Sequence, residues 1–146
     1  MININIESDP KFKNPNHSLM SSLISYVMDS EGICEADLSF VFGNDKLLNN
    51  LKKQFFQKDH FTDVIAFRLN DYDEENVEGE VYISLPRAKA NAKKFDQPYN
   101  KEIARLIIHG SLHLLGYTDS SKKDKTEMTK KEDIYLTKIN WNKIYE

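Results

Sequence analysis

Apolar and polar residues alternate at the start of the chain, with Ile2, Ile4 and Ile6 separated by Asn3 and Asn5. That period of two predicts a strand. The period then lengthens: Leu19, Leu23, Ile24 and Val27 recur at helical spacing, and Gly32 sits where such a helix would stop,. ADLSFVFG (36–43) reads as a second strand, and NDKLLNNLKKQFF (44–56) as an amphipathic helix with Asn44 as its N-cap,. TDVIAFRL (62–69) and EGEVYISL (78–85) are rich in β-branched and aromatic residues, and both predict strands,. The acidic run NDYDEENV between them reads as a solvated hairpin loop.

From Pro86 the pattern is helical. Pro86 suits a first helical turn, and PRAKANAKKF is built of helix formers,. Asn100 is placed to cap the next helix, in which Ile103, Leu106, Ile107 and Leu114 make an apolar stripe and Gly116 follows as a C′ residue,. A last helix over about 121–139 carries Met128, Ile134 and Leu136,. Strands early, helices late and no repeat or linker predict one α+β domain over 1–146. About four strands form a small mixed sheet, packed with about five helices, and the chemistry sits at the end of a central helix.

Composition narrows the class. Cys34 is the only cysteine, so no internal disulfide and no thiolate zinc site can form, and a reducing, cytoplasmic setting follows,. MININIESDP lacks the basic start and apolar run of a signal peptide, and no stretch is long enough to span a bilayer,. A net charge of −3 excludes a surface that coats nucleic acid everywhere, but leaves room for a local basic groove,.

The chemistry concentrates in HGSLHLLGYTD (109–119). Residues four apart on a helix are offset by about 40° and about 6 Å, so His109 and His113 share one face and can meet one ion. Gly116 permits the reversal that would return Asp119 over that face. Two histidines and one carboxylate leave coordination positions open, the catalytic rather than the structural arrangement. Another reading stays open: two surface histidines favoured by a helix C-terminus, with Asp119 capping the last helix, a task Ser120, Ser121 or Asp124 could equally fill. Zinc proteases place a general-base glutamate directly after the first histidine. Here that position is Gly110. A peptidase would lack its base, and the helix gains room for close approach by a substrate or a strand.

HGSLHLLGY resembles the His-Gly-x-Leu-His-Leu-x-Gly-Tyr signature of the YbeY family, metal-dependent endoribonucleases of bacterial ribosomal RNA maturation. TDVIAF and GEVYIS resemble that family's Thr-Asp-Val and Gly-Asp-Ile strands, and LSFVFGNDKLLNNLKKQFF its second strand and following helix. The resemblance implies a single-strand-specific endoribonuclease of 16S rRNA maturation and ribosome biogenesis. Its partners would be ribosomal RNA and the small ribosomal subunit or its assembly factors. It assigns metal binding to His109 and His113 and, by position, to Asp119, where the family usually has a third histidine. The implied cofactor is one divalent ion, zinc by resemblance, with iron(II), manganese(II) or nickel(II) as the other candidates. An anionic ligand makes metal-bound water a weaker acid than three imidazoles would, and suits iron or manganese. The family's arginine before the Thr-Asp-Val strand falls at Phe56, and Lys52, Lys53 or Lys58 could take its role.

The motif itself contains no obvious general base. Glu80 is the candidate for a direct catalytic role beside His109 and His113, with Asp63 as a second carboxylate. For RNA phosphates, Lys58 and the run Arg87, Lys89, Lys93 and Lys94 are the candidate contacts, and Phe55, Phe56, Phe61 and His60 could stack on unpaired bases. The same lysines also make an ordinary solvated helix face. Two further functions remain compatible with the residues: a metal-dependent hydrolase of another substrate class, and a ribosome-associated binding module with a structural metal.

Overall fold

The computed structural model describes residues 1–13, 15–56 and 62–145. Among these residues nine elements follow in the order β1 (Ile2–Ser8), α1 (His17–Ser30), β2 (Ala36–Gly43), α2 (Asp45–Phe56), β3 (Val64–Arg68), β4 (Val77–Ser84), α3 (Leu85–Lys94), α4 (Tyr99–Leu114) and α5 (Lys122–Lys138). The four strands form one sheet in the order β1-β2-β4-β3. β1, β2 and β4 run parallel, and β3 pairs antiparallel with β4 through the acidic hairpin. This is the α+β fold with a small mixed sheet and five helices that the patterning predicts.

Alternation along the strands sorts the sheet into two faces. Leu38, Phe40 and Phe42 of β2 and Val77, Val81 and Ile83 of β4 are buried on the face that carries α1 and α4. Glu78, Glu80 and Tyr82 point the other way, where Phe67 of β3 joins them in register with Glu80. The helix boundaries follow local chemistry. Asn44 accepts the Leu47 N–H at 2.9 Å ahead of α2, and Ser84 accepts the Arg87 N–H at 3.2 Å, with Pro86 in the first turn of α3.

Three expectations change. Asn100 does not cap α4, because the extended Pro98 is its N-cap and starts that helix two residues earlier; the Asn100 amide donates instead to the Asn142 and Tyr145 carbonyls. Ile134 is 56% exposed, because the buried face of α5 runs through Met128, Glu132, Tyr135 and Leu136, and position 134 lies about 100° off it,. The buried part of α4 is wider than the predicted stripe. Residues 106–108, 110–112 and 114 are all buried, and His109 and His113 lie along its one partly open line.

α4 reaches the sheet through Gly110. A Cβ built there would stand 2.6 Å from Val81 Cγ1 and 3.4 Å from Val64 Cγ2. Of the two uses foreseen for the space at 110, the fold takes the strand.

Candidate metal centre

α4 ends in a hydrogen-bonded reversal that sets the site. The Gly116 N–H donates to the His113 carbonyl at 3.0 Å and the Tyr117 N–H to the Leu112 carbonyl at 3.1 Å. That pair of bonds is the Schellman motif, and Gly116 takes the left-handed φ of +98° it requires,. Arg68 donates to the Leu114 carbonyl at 2.8 Å and fastens the same helix end to β3. The chain then doubles back, and Asp119 comes over the histidines.

His109 Nε2 and His113 Nε2 lie 3.0 Å apart, and Asp119 Oδ2 lies 3.6 and 3.8 Å from them. The three side chains each bring one potential ligand atom within 4.8 Å of the others. Two ligands held tetrahedrally at about 2.0–2.1 Å from one ion stand about 3.3 Å apart, so the triangle already has the size of a coordination shell. The other ring nitrogens are occupied. His109 Nδ1 meets Glu132 Oε2 at 2.6 Å, and His113 Nδ1 meets the Tyr117 carbonyl at 2.9 Å. With both δ nitrogens donating and both rings neutral, as metal binding requires, the two ε lone pairs face each other, an arrangement that a cation between them relieves,. The residues fit a divalent metal ion. The same partners fix ring tautomer and orientation, as the outer hydrogen bonds of metal-binding histidines do.

Electrostatics separate the two rings. Burial alone would lower the His109 pKa, but the hydrogen bond and charge of Glu132 outweigh it and hold the ring above its ordinary value. His113 lies below its ordinary value, through burial and then through His109 beside it. Asp119 is not needed as a helix cap: the Ser121 hydroxyl accepts the Asp124 N–H at 3.0 Å and starts α5.

The triad opens on a cleft of about 660 Å³ whose other walls include Lys52, Phe56, Asp63 and Tyr72. Asp63 therefore reaches the site, with Oδ2 held by the Asn91 amide at 3.0 Å. Glu80 does not. It lies on the sheet face opposite α4, where it accepts the Tyr82 hydroxyl at 3.1 Å, because one residue along a strand inverts the side chain,. Arg87 is drawn into an ion pair with Asp45, at 3.3 Å from Nε to Oδ1. Lys89 lines a separate cavity with Phe12 and Tyr99, and Lys93 and Lys94 are exposed outside the cleft walls. Lys58, Gln57, His60 and Phe61 lie outside the described residues.

The sequence reading missed Glu132. It lies 23 residues beyond His109 on another helix, and no spacing rule links the two. It also missed Arg105, which donates to Glu132 and Asp133 at 3.0 Å each and holds the carboxylate against the ring.

Fold and site together define a class: an α+β domain whose buried helix ends in an open two-histidine, one-carboxylate centre, the arrangement that serves metal-assisted hydrolysis. The comparisons are specific. The family model for Endoribonuclease YbeY matches residues 3–140. Endoribonuclease YbeY of Karelsulcia muelleri is 38% identical over 91% of this chain and 93% of its own length. Endoribonuclease YbeY of Amoebophilus asiaticus is 38% identical over 88% of this chain and 86% of its own. The solution structure of a Thermotoga maritima protein aligns with a TM-score of 0.62 at 27% identity, covering 91% of this chain and 86% of that one. The chain belongs to the YbeY endoribonuclease family.

Proposed function

We propose that the protein is a metal-dependent endoribonuclease that cuts unpaired segments of ribosomal RNA during 16S rRNA maturation, in the cytoplasm and in contact with the small ribosomal subunit. The observation that carries the reading is the convergence of His109 Nε2, His113 Nε2 and Asp119 Oδ2 on one point of an open cleft. These three residues would hold one divalent ion, zinc. Such an ion supplies Lewis-acid stabilisation of phosphoryl charge and activates water for attack on the phosphodiester. Glu132 and the Tyr117 carbonyl keep both histidines presenting Nε2. Asp63 is the carboxylate placed to accept a proton at the cleft, with Asn91 fixing its Oδ2; it takes the part first assigned to Glu80. No helix among the described residues is long and apolar enough to cross a membrane.

The walls suit a single strand. Phe56 is 43% and Tyr72 61% exposed, and both line the cleft. Aromatic rings at such positions stack on unpaired bases for about 1–3 kcal/mol each. Lys52 holds its ammonium 4.7 Å from the Phe56 ring centre and, among the described residues, is the cation lining the cleft that would contact an RNA phosphate. Phe56→Ala is therefore expected to raise KM for single-stranded RNA about tenfold with little change in kcat. Steady-state kinetics on a short unpaired oligonucleotide check this; an unchanged KM removes Phe56 from the binding surface.

Incubation with structured ribosomal RNA, with and without a chelator, tests the activity. Cuts confined to unpaired segments, lost with chelator and restored by zinc, are expected. Cuts that survive chelation contradict the reading. Asp119→His is expected to bind zinc as tightly as the natural chain or more so, since imidazole is a good ligand for this ion. A competition titration measures it, and weakened binding would mean that position 119 does not reach the ion.

A further inference from the structure

We propose that Glu31, at the C-terminal end of α1, is a positioning residue of the metal centre: it holds the Tyr117 side chain, and thereby the backbone turn that orients His113 and returns Asp119. The inference rests on the reading of the triad as a metal site.

Glu31 is nearly buried, with its side chain 10% exposed, and three donors converge on it. Tyr117 Oη donates to Oε1 at 2.7 Å, Lys131 Nζ to Oε2 at 2.9 Å, and the Tyr135 hydroxyl to Oε2. The bonds from α5 alone would tie that helix to α1. The bond from Tyr117 does something else, because Tyr117 is the residue whose carbonyl accepts His113 Nδ1 at 2.9 Å. Its N–H also closes the Schellman turn on Leu112. One residue therefore carries the turn, the tautomer of His113 and, two positions on, Asp119. Its ring is held at two points, by the Glu31 carboxylate at the hydroxyl and by the Lys131 ammonium over the ring, 5.2 Å from its centre. The clamp therefore anchors, through its side chain, the residue whose N–H and carbonyl make the turn's bonds. Carboxylate and tyrosine lie 86 residues apart, so the fold has to be complete before the site is.

The test uses the full chain and zinc alone, with affinity read by competition against a chromophoric chelator and apo melting temperature as a parallel readout. Outer hydrogen bonds of metal ligands change affinity by about 10–100-fold. Tyr117→Phe and Glu31→Ala are each expected to weaken zinc binding about tenfold, and the double variant to be no weaker than the worse single one, since both act along one path. Tyr135→Phe removes an equal hydroxyl from the same carboxylate on the α5 side. It is expected to lower the melting temperature and to leave affinity within about twofold. Equal losses of affinity in Tyr117→Phe and Tyr135→Phe, additive losses in the double variant, or unchanged affinity in Tyr117→Phe would overturn the inference. A wild-type chain that binds zinc but cuts no RNA would remove the proposed activity and leave the positioning role intact.

Discussion

His113→Ala is expected to reduce RNA cleavage roughly a thousandfold or more while leaving the fold intact. The ring is one of three converging ligands, and its Nε2 stands 3.0 Å from that of His109. Removing it leaves one imidazole and one carboxylate, too few to hold a catalytic ion against water. Loss of the ion forfeits several kcal/mol of charge stabilisation, and each 1.4 kcal/mol is about tenfold in rate. The side chain is 28% exposed and makes one hydrogen bond to the backbone, so its removal opens no large cavity. Cleavage of an unpaired RNA by variant and wild type, beside their circular-dichroism melts, checks both parts. Equal cleavage by the variant would assign the activity to a contaminating nuclease.

The second large effect falls on stability. Gly110→Glu writes the zinc-protease pattern His-Glu-x-x-His into α4, yet it is expected to unfold the protein rather than add a base. Position 110 faces β4, not the cleft: its Cβ would stand 2.6 Å from Val81 Cγ1. The substitution overpacks a filled core, for about 1–3 kcal/mol, and buries a carboxylate with no cationic partner, for several more. That sum approaches the whole stability of a typical domain, about 5–15 kcal/mol. Insoluble expression, or a denaturant midpoint shifted far below wild type, is expected. A soluble variant with an unchanged midpoint would show that α4 does not lie on β4 as described.

The same position shows what a sequence can and cannot disclose. Periodicity and residue preference together found the nine elements of the described residues, because strands and helices that bury one face write that face into the chain. It also found both histidines, because i and i+4 on a helix is a local relation, and the glycine turn made Asp119 a third candidate. Misplacements came where the decisive contact is not local. Glu80 sits in a strand of the right kind, but its distance from the pair depends on which face of the sheet α4 covers, set by Gly110 against Val81. Arg87 reads as a free cation until Asp45, 42 positions earlier, comes alongside it. Glu132 was invisible for the same reason, since only the packing of α5 on α4 brings it to His109. Ile134 misled through a simple preference for apolar residues inside; the core took Tyr135 and Leu136 from the neighbouring positions.

The central claim is that His109, His113 and Asp119 bind one ion. An anomalous-scattering map of crystals grown with zinc tests it most directly. The account predicts a single strong peak about 2.0–2.1 Å from His109 Nε2 and His113 Nε2, with an Asp119 oxygen as the third protein ligand. A map with no peak between the two rings, and the Asp119 carboxylate turned away into solvent, would contradict it.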